Sequence, residues 1–235
     1  MPPLIKFAPG YFSVALLALA TATVSYAHDL STKTLALPTF TAISLETVGD
    51  LIVENDLKHD FTIEAEPKVI ALISAKVEGN VLHIFATGDF KTEKSINLKV
   101  RLSKLNEISS RSSGDILLGK FKTDKLGLLV DGSGSITATK IYAEKVTAKI
   151  AGSGDIDLGG QVSTLQAEIN GTGTIEASKL ITSSATASIG GSGDINLHVT
   201  NLLKASIDGS GTISYRGNPK LTSSISGAGD IVKQE

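Results

Sequence analysis

Seven copies of one short phrase, set at a nearly constant interval, constrain this chain more than any other feature. Each copy places two small residues, mostly glycine, around a spacer, then Asp, Ser or Thr, then Ile. The copies read Ser112-Ser113-Gly114-Asp115-Ile116, Gly132-Ser133-Gly134-Ser135-Ile136, Gly152-Ser153-Gly154-Asp155-Ile156, Gly171-Thr172-Gly173-Thr174-Ile175, Gly191-Ser192-Gly193-Asp194-Ile195, Gly209-Ser210-Gly211-Thr212-Ile213 and Gly227-Ala228-Gly229-Asp230-Ile231. The second glycines follow one another at 20, 20, 19, 20, 18 and 18 residues. A fixed period of this length predicts a solenoid in which each repeat is one coil stacked on the last.

The apolar residues around each copy alternate. Val146, Ala148 and Ile150 run through Gly152 and Gly154 to Ile156 and Leu158, and Leu165, Ala167 and Ile169 run through Gly171 and Gly173 to Ile175 and Ala177. A period of two marks strands with one buried face. The glycines keep the inward phase, so each strand is expected to pass a bend without losing register. Glycine suits that bend for two reasons: it tolerates positive φ, and its missing Cβ lets stacked coils approach closely. The prediction is an all-β parallel β-helix of 18–20-residue coils.

Four segments are expected. Residues 1–27 resemble a secretory signal, with Lys6 before the apolar residues 14–20 and Ser25-Tyr26-Ala27 as the cleavage site. The apolar stretch is too short to span a bilayer. Residues 28–34 read as a flexible N-terminus. Residues 35–104 read as a less regular cap and first coils, with strands at 40–45, 50–53, 61–65 and 96–102. A short helix is expected over 67–74, a turn at Val77-Glu78-Gly79-Asn80-Val81 and a loop over 87–95. Val48-Gly49-Asp50-Leu51 looks like a degenerate early copy of the repeat. Residues 105–232 are the regular coils, continuous with 35–104 in one domain.

Composition excludes several function classes. The chain has no cysteine, so disulfides, thiolate catalysis, cysteine-zinc sites and a lipidated N-terminal cysteine are ruled out. Without Lys6 the remainder carries 21 basic and 24 acidic residues, not the basic face that nucleic acid requires. No second apolar segment follows the signal, so no transmembrane segment is expected after cleavage. The predicted location is the periplasm, outer-membrane surface or exterior of a bacterium.

The residue after the second glycine alternates between an acid (Asp115, Asp155, Asp194, Asp230) and a hydroxyl (Ser135, Thr174, Thr212). Asp131, Asn170 and Asp208 precede the bend in the hydroxyl-bearing coils. An unbroken column of carboxylates would repel itself, and alternation doubles the spacing between acids. A hydroxyl between two acids could donate to both. The bland reading is a self-satisfied surface ladder. The alternative is a Ca2+ ladder formed by Asp115, Asp155, Asp194 and Asp230, because calcium needs several convergent oxygens.

The opening strand around Phe40, the Gly49-Asp50 copy, the segment Leu102-Ser103-Lys104-Leu105-Asn106-Glu107-Ile108 and the Gly-Ser-Gly-Asp-Ile series together resemble the "putative auto-transporter adhesin, head GIN domain" family. The resemblance covers about residues 35–232. It implies a right-handed parallel β-helix in an envelope or secreted protein, and it carries no catalytic residues to transfer.

Other chemistry finds little footing. The third glycine of a dinucleotide fingerprint is missing after every Gly-x-Gly pair, and no nucleophile elbow occurs. His28, His59, His83 and His198 lack metal-ligand spacing. His28, as a new N-terminus, would offer an amine and an imidazole to copper. The expected function is a non-catalytic binding or structural module, adhesin-like, with a polysaccharide or an envelope protein as partner and homo-oligomerisation through coil faces or ends. The alternative is a β-helix carbohydrate-active enzyme using Asp155, Asp157, Asp194 and Lys149. Only Tyr142 and Tyr215 offer aromatic platforms for sugar within the repeats.

Overall fold

The computed structural model describes residues 30–235. The expected signal segment 1–27 and His28 lie outside the described residues. The chain forms one 17-stranded sheet wound into a solenoid of about 6 turns, with coils roughly 20 residues apart. The long strands β10 (Phe121–Val130), β11 (Ile136–Ile150), β12 (Ile156–Ile169), β13 (Thr174–Ile189) and β14 (Asp194–Ile207) stack in order and in parallel. Each coil pairs only with the coil above and the coil below, so a long array is built from one repeated contact.

Three faces follow from the corners of the coil. The first comprises residues 126–130, 146–150, 165–169, 185–189 and 203–207 in register. The second follows the Gly-x-Gly bend, with Ile136, Ile156, Ile175 and Ile195 in one column. The third carries Ile141, Gly160 and Leu180 in one column. Alternation puts Val146, Ala148, Ile150, Ile156 and Leu158 inside, all at most 1% exposed. The core is therefore a continuous axial column of Ala, Val, Ile and Leu. The large rings Phe40, Phe61 and Phe121 are buried toward the N-terminal end.

At that end the order of stacking departs from the order of the chain. β2 (Ala42–Leu45) lies between β6 (Val81–Ala86) and β8 (Glu107–Ser110), and β3 (Asp50–Asn55) lies between β7 (Asn97–Leu102) and β9 (Ile116–Leu118). The first coil in sequence is thus the second layer of the stack, with residues 81–102 outside it. Antiparallel pairs then close the end: β4 (Asp60–Ala65) on β7, β1 (Ser31–Ala36) on β4, and β5 (Ile73–Glu78) on β6. The β5–β6 turn uses Gly79 at φ +59°, a conformation glycine adopts without steric cost. A short helix, α1 (Pro67–Ile70), has Pro67 at its start and buries Val69 and Ile70.

Residues 31–34, expected as part of a flexible N-terminus, are instead strand, paired with 62–65 of β4. Their sequence Ser-Thr-Lys-Thr has no buried face, and the edge of β4 supplies the order. At the other end, β16 (Lys220–Ile225) and β17 (Asp230–Lys233) stack on β14 and β15 (Thr212–Arg216). Leu221 and Ile225 hold the inward phase of Leu203 and Ile207, yet they are 37% and 47% exposed where the latter are 0%.

Candidate binding groove and the repeat ladders

The paired glycines are a packing device. A Cβ added at Gly134 would overlap the carbonyl oxygen of Gly114, and the same overlap recurs for Gly154 on Gly134, Gly173 on Gly154, Gly193 on Gly173 and Gly211 on Gly193. The first glycines form a second such column, with Gly152 on Gly132, Gly171 on Gly152 and Gly191 on Gly171. The close approach has a purpose. The spacer N–H donates to the first-position carbonyl one coil below: Ser153 to Gly132 at 3.0 Å, Ser192 to Gly171 at 3.1 Å and Ser210 to Gly191 at 3.0 Å. The expected positive φ is not found at these glycines. Among the described residues it occurs at Gly49, Gly79, Gly160 and Gly217. The bend uses ordinary backbone angles, and the neighbouring coil excludes the side chain.

The acid ladder also serves the backbone. Asp115 Oδ1 accepts from the Ser135 N–H at 2.8 Å, Asp155 Oδ1 from Thr174 at 2.7 Å, and Asp194 Oδ1 from Thr212 at 2.8 Å. The early copy behaves alike, with Asp50 Oδ1 accepting from Asp115 N–H at 3.2 Å. The ladder partner of Asp115, Asp155 and Asp194 is therefore an amide of the next coil, not the hydroxyl that the sequence pattern offered. Asp115, Asp155, Asp194 and Asp230 follow one another two coils apart, about 9–10 Å at sheet spacing, too far for neighbours among these four to share one cation. Among the described residues no three His, Asp or Glu side chains form a metal-sized group.

The carboxylates considered for sugar chemistry do not converge with Lys149. Asp155 and Asp157 lie at and after the bend, on the second face, whereas Lys149 belongs to the first face. Its Nζ lies 2.8 Å from Glu168 Oε2. That contact holds the Glu168 carboxyl below its ordinary range, helped by Asn170. His198 lies beside Arg216 in register. Burial first, and then the Arg216 charge, lower the His198 pKa. His83 Nδ1 lies 3.1 Å from Glu46 Oε1, to which Ser44 Oγ also donates at 2.7 Å. The serine bonds the carboxylate rather than the imidazole, so this is a polar clamp and not a nucleophile with its base.

A feature with no repeated motif in the sequence lies on the third face. Lys122, Tyr142, Gln161 and Ile181 stand in one outward column on four successive coils. Beside them, at the next corner, Asp124, Glu144, Ser163 and Ser183 line a groove of about 650 Å³ that continues to Thr200. Tyr142 is 42% and Ile181 46% exposed. The Lys120 ammonium lies 5.5 Å from the Tyr142 ring centroid, within cation–π range. At the other edge of this face, where it meets the second, the coil through Gly159-Gly160 turns one residue shorter than its neighbours, with a register shift on both sides. Gly160 takes φ +117° there, and a Cβ on it would overlap the Ile141 carbonyl. Tyr142 was visible in the sequence as an aromatic of the repeats. Its column was not, because the corner indels shift the spacing from coil to coil.

Fold and surface together define a class of protein: a parallel β-solenoid that offers long outer faces and a shallow axial groove. Residues 39–219 match the family described as "putative auto-transporter adhesin, head GIN domain", and the chain belongs to that family. A structure described as a putative adhesin from Bacteroides fragilis NCTC 9343 is 27% identical with a TM-score of 0.81, covering 88% of this chain and 97% of that one. One from Parabacteroides merdae ATCC 43184, also described as a putative adhesin, is 22% identical with a TM-score of 0.72 at the same coverage. A structure described as a putative lipid binding protein from Parabacteroides distasonis ATCC 8503 is 23% identical with a TM-score of 0.73, again at that coverage. The last two establish the fold alone. No curated protein matches the chain. The adhesin family points to a surface or exported protein, and among the described residues no helix is long and apolar enough to cross a membrane.

Proposed function

We propose that the chain is a non-catalytic, adhesin-like binding module of the bacterial envelope or cell surface, exported after loss of residues 1–27. The observation that carries this reading is the third-face groove, where exposed Tyr142 and Ile181 sit among polar side chains on a rigid array of coils. Binding sites combine apolar contact with a few placed polar groups, and the groove has both. The competing enzyme reading needs an acid and a base converging on one bond. Asp155 and Asp194 instead each spend an oxygen on a neighbouring amide, and Lys149 faces elsewhere with Glu168.

The test is incubation of the purified chain with isolated bacterial envelopes and with envelope and plant polysaccharides, with and without Ca2+, reading retention and polymer length together. Retention without shortening, unchanged by Ca2+, is the expected outcome. Shortening would establish the enzyme instead. Retention that requires Ca2+ would make the Asp115, Asp155, Asp194 and Asp230 ladder a metal site.

A further inference from the structure

We infer that the third-face groove seats a neutral, extended glycan lying along the solenoid axis, with successive sugar units meeting successive coils. The inference rests on the binding-module reading and names the ligand class of its groove. Three observations carry it.

The first is spacing. Lys122, Tyr142, Gln161 and Ile181 repeat at the sheet interval, in one straight column. That interval is about 4.8 Å, close to the length of one pyranose in an extended β-linked chain. A regular polymer can therefore stay in step with the column. A peptide strand would run along the coils instead, seeking an open strand edge, and the strands that carry Tyr142, Gln161 and Ile181 are already paired on both sides.

The second is chemistry. A pyranose presents an apolar ring face and a polar edge. Tyr142 offers a partly exposed aromatic ring, and Ile181 an apolar contact two coils on. Gln161, between them, donates and accepts; Ser163 and Ser183 do likewise, and the Glu144 carboxylate accepts.

The third is charge. Lys122, together with Lys120 beside the Tyr142 ring, is balanced by Asp124 and Glu144 on the same wall, so the groove carries no single-sign field to select an anionic polymer or an acidic headgroup. The volume of about 650 Å³ suits a short stretch of ligand, since small-molecule sites span roughly 300–1,000 Å³.

The experiment titrates soluble β-1,4-gluco-oligosaccharides of increasing length by calorimetry. Affinity is expected to climb to about four units, one for each member of the column, and then flatten. Tyr142→Ala is expected to weaken the longest ligand about tenfold, with Tyr142→Phe close to the parent and Gln161→Ala intermediate. Lys204→Ala, on the first face, is expected to change nothing. All three positions are on the outside, so unchanged melting of each variant separates lost binding from lost fold. Equal affinity of Tyr142→Ala and the parent overturns the site. Retention on anionic polygalacturonate alone, abolished by salt, overturns the ligand class. Retention on envelopes stripped of glycan, with no oligosaccharide bound, overturns the glycan and leaves the binding module standing. Failure to bind untreated envelopes overturns both.

Discussion

Gly173 has no room for a methyl group. Its would-be Cβ meets the Gly154 carbonyl, which is backbone and cannot rotate away. Gly173→Ala must therefore lift two coils apart or break the neighbouring ladder, and a loss of about 3 kcal/mol or more is expected. Gly88→Ala, where the only neighbour within 4 Å is Leu72 Cδ2 at 3.8 Å, is expected to lie within about 0.5 kcal/mol of the parent. Denaturant midpoints of the two variants check the contrast. Glu46 makes a different kind of prediction. The Ser44 hydroxyl, and after it His83, hold its carboxyl below the ordinary value of 4.5. A carboxylate with a lowered folded pKa stabilises above its unfolded value and loses that contribution as pH falls through the folded value. The acid limb of the stability–pH curve should accordingly flatten in Glu46→Gln. A limb of unchanged slope from about pH 5 downward would show that this carboxylate does not contribute. The glycines were legible in the sequence because a steric requirement repeated at every coil leaves a periodic trace. The Ser44–Glu46–His83 clamp left none, since Glu46 and His83 are 37 residues apart and meet only through the stacking of β2 on β6.

At the scale of the element, the same residue phase has opposite consequences in β14 and β16. Leu203 and Leu221 occupy equivalent places, in register. Leu203 is covered on both sides and is 0% exposed, while Leu221 is 37% exposed. Truncating Leu203 to alanine removes buried contacts and leaves a cavity, with an expected cost of about 2–5 kcal/mol. Leu221→Ala is expected to cost under about 1 kcal/mol. Equal costs for the two would mean that the last coil is covered in solution. Burial pattern within a strand was readable from alternation, but burial itself depends on whether a further coil lies above. The strand at 31–36 makes the complementary point. Its residues carry no strand-like hydrophobic pattern, and it is ordered only because β4 presents an edge to it. The corner at Gly159-Gly160 adds a third case. One residue fewer in one coil is a small change in sequence, yet it moves the register in which that coil enters the third face.

Over the whole molecule, the repeat alone determined the architecture. A bend that admits only small residues, recurring every 18–20 positions with alternating apolar flanks, can be satisfied by parallel coils and by little else, because each flank must find a partner one period away. The same periodicity marked the bend acids, though not that Asp115, Asp155 and Asp194 would each bond an amide of the next coil. Tertiary structure decided what periodicity cannot encode. It placed residues 81–102 outside the coil that precedes them in the chain, since the Ile43, Leu82 and Ile108 columns share one phase and any order of the three would satisfy the pattern. It also gathered Lys122, Tyr142, Gln161 and Ile181 into one outward column. Outward residues are free of the packing constraint that makes inward ones repeat, so they vary from coil to coil, and only the stacked structure reveals that they share a face.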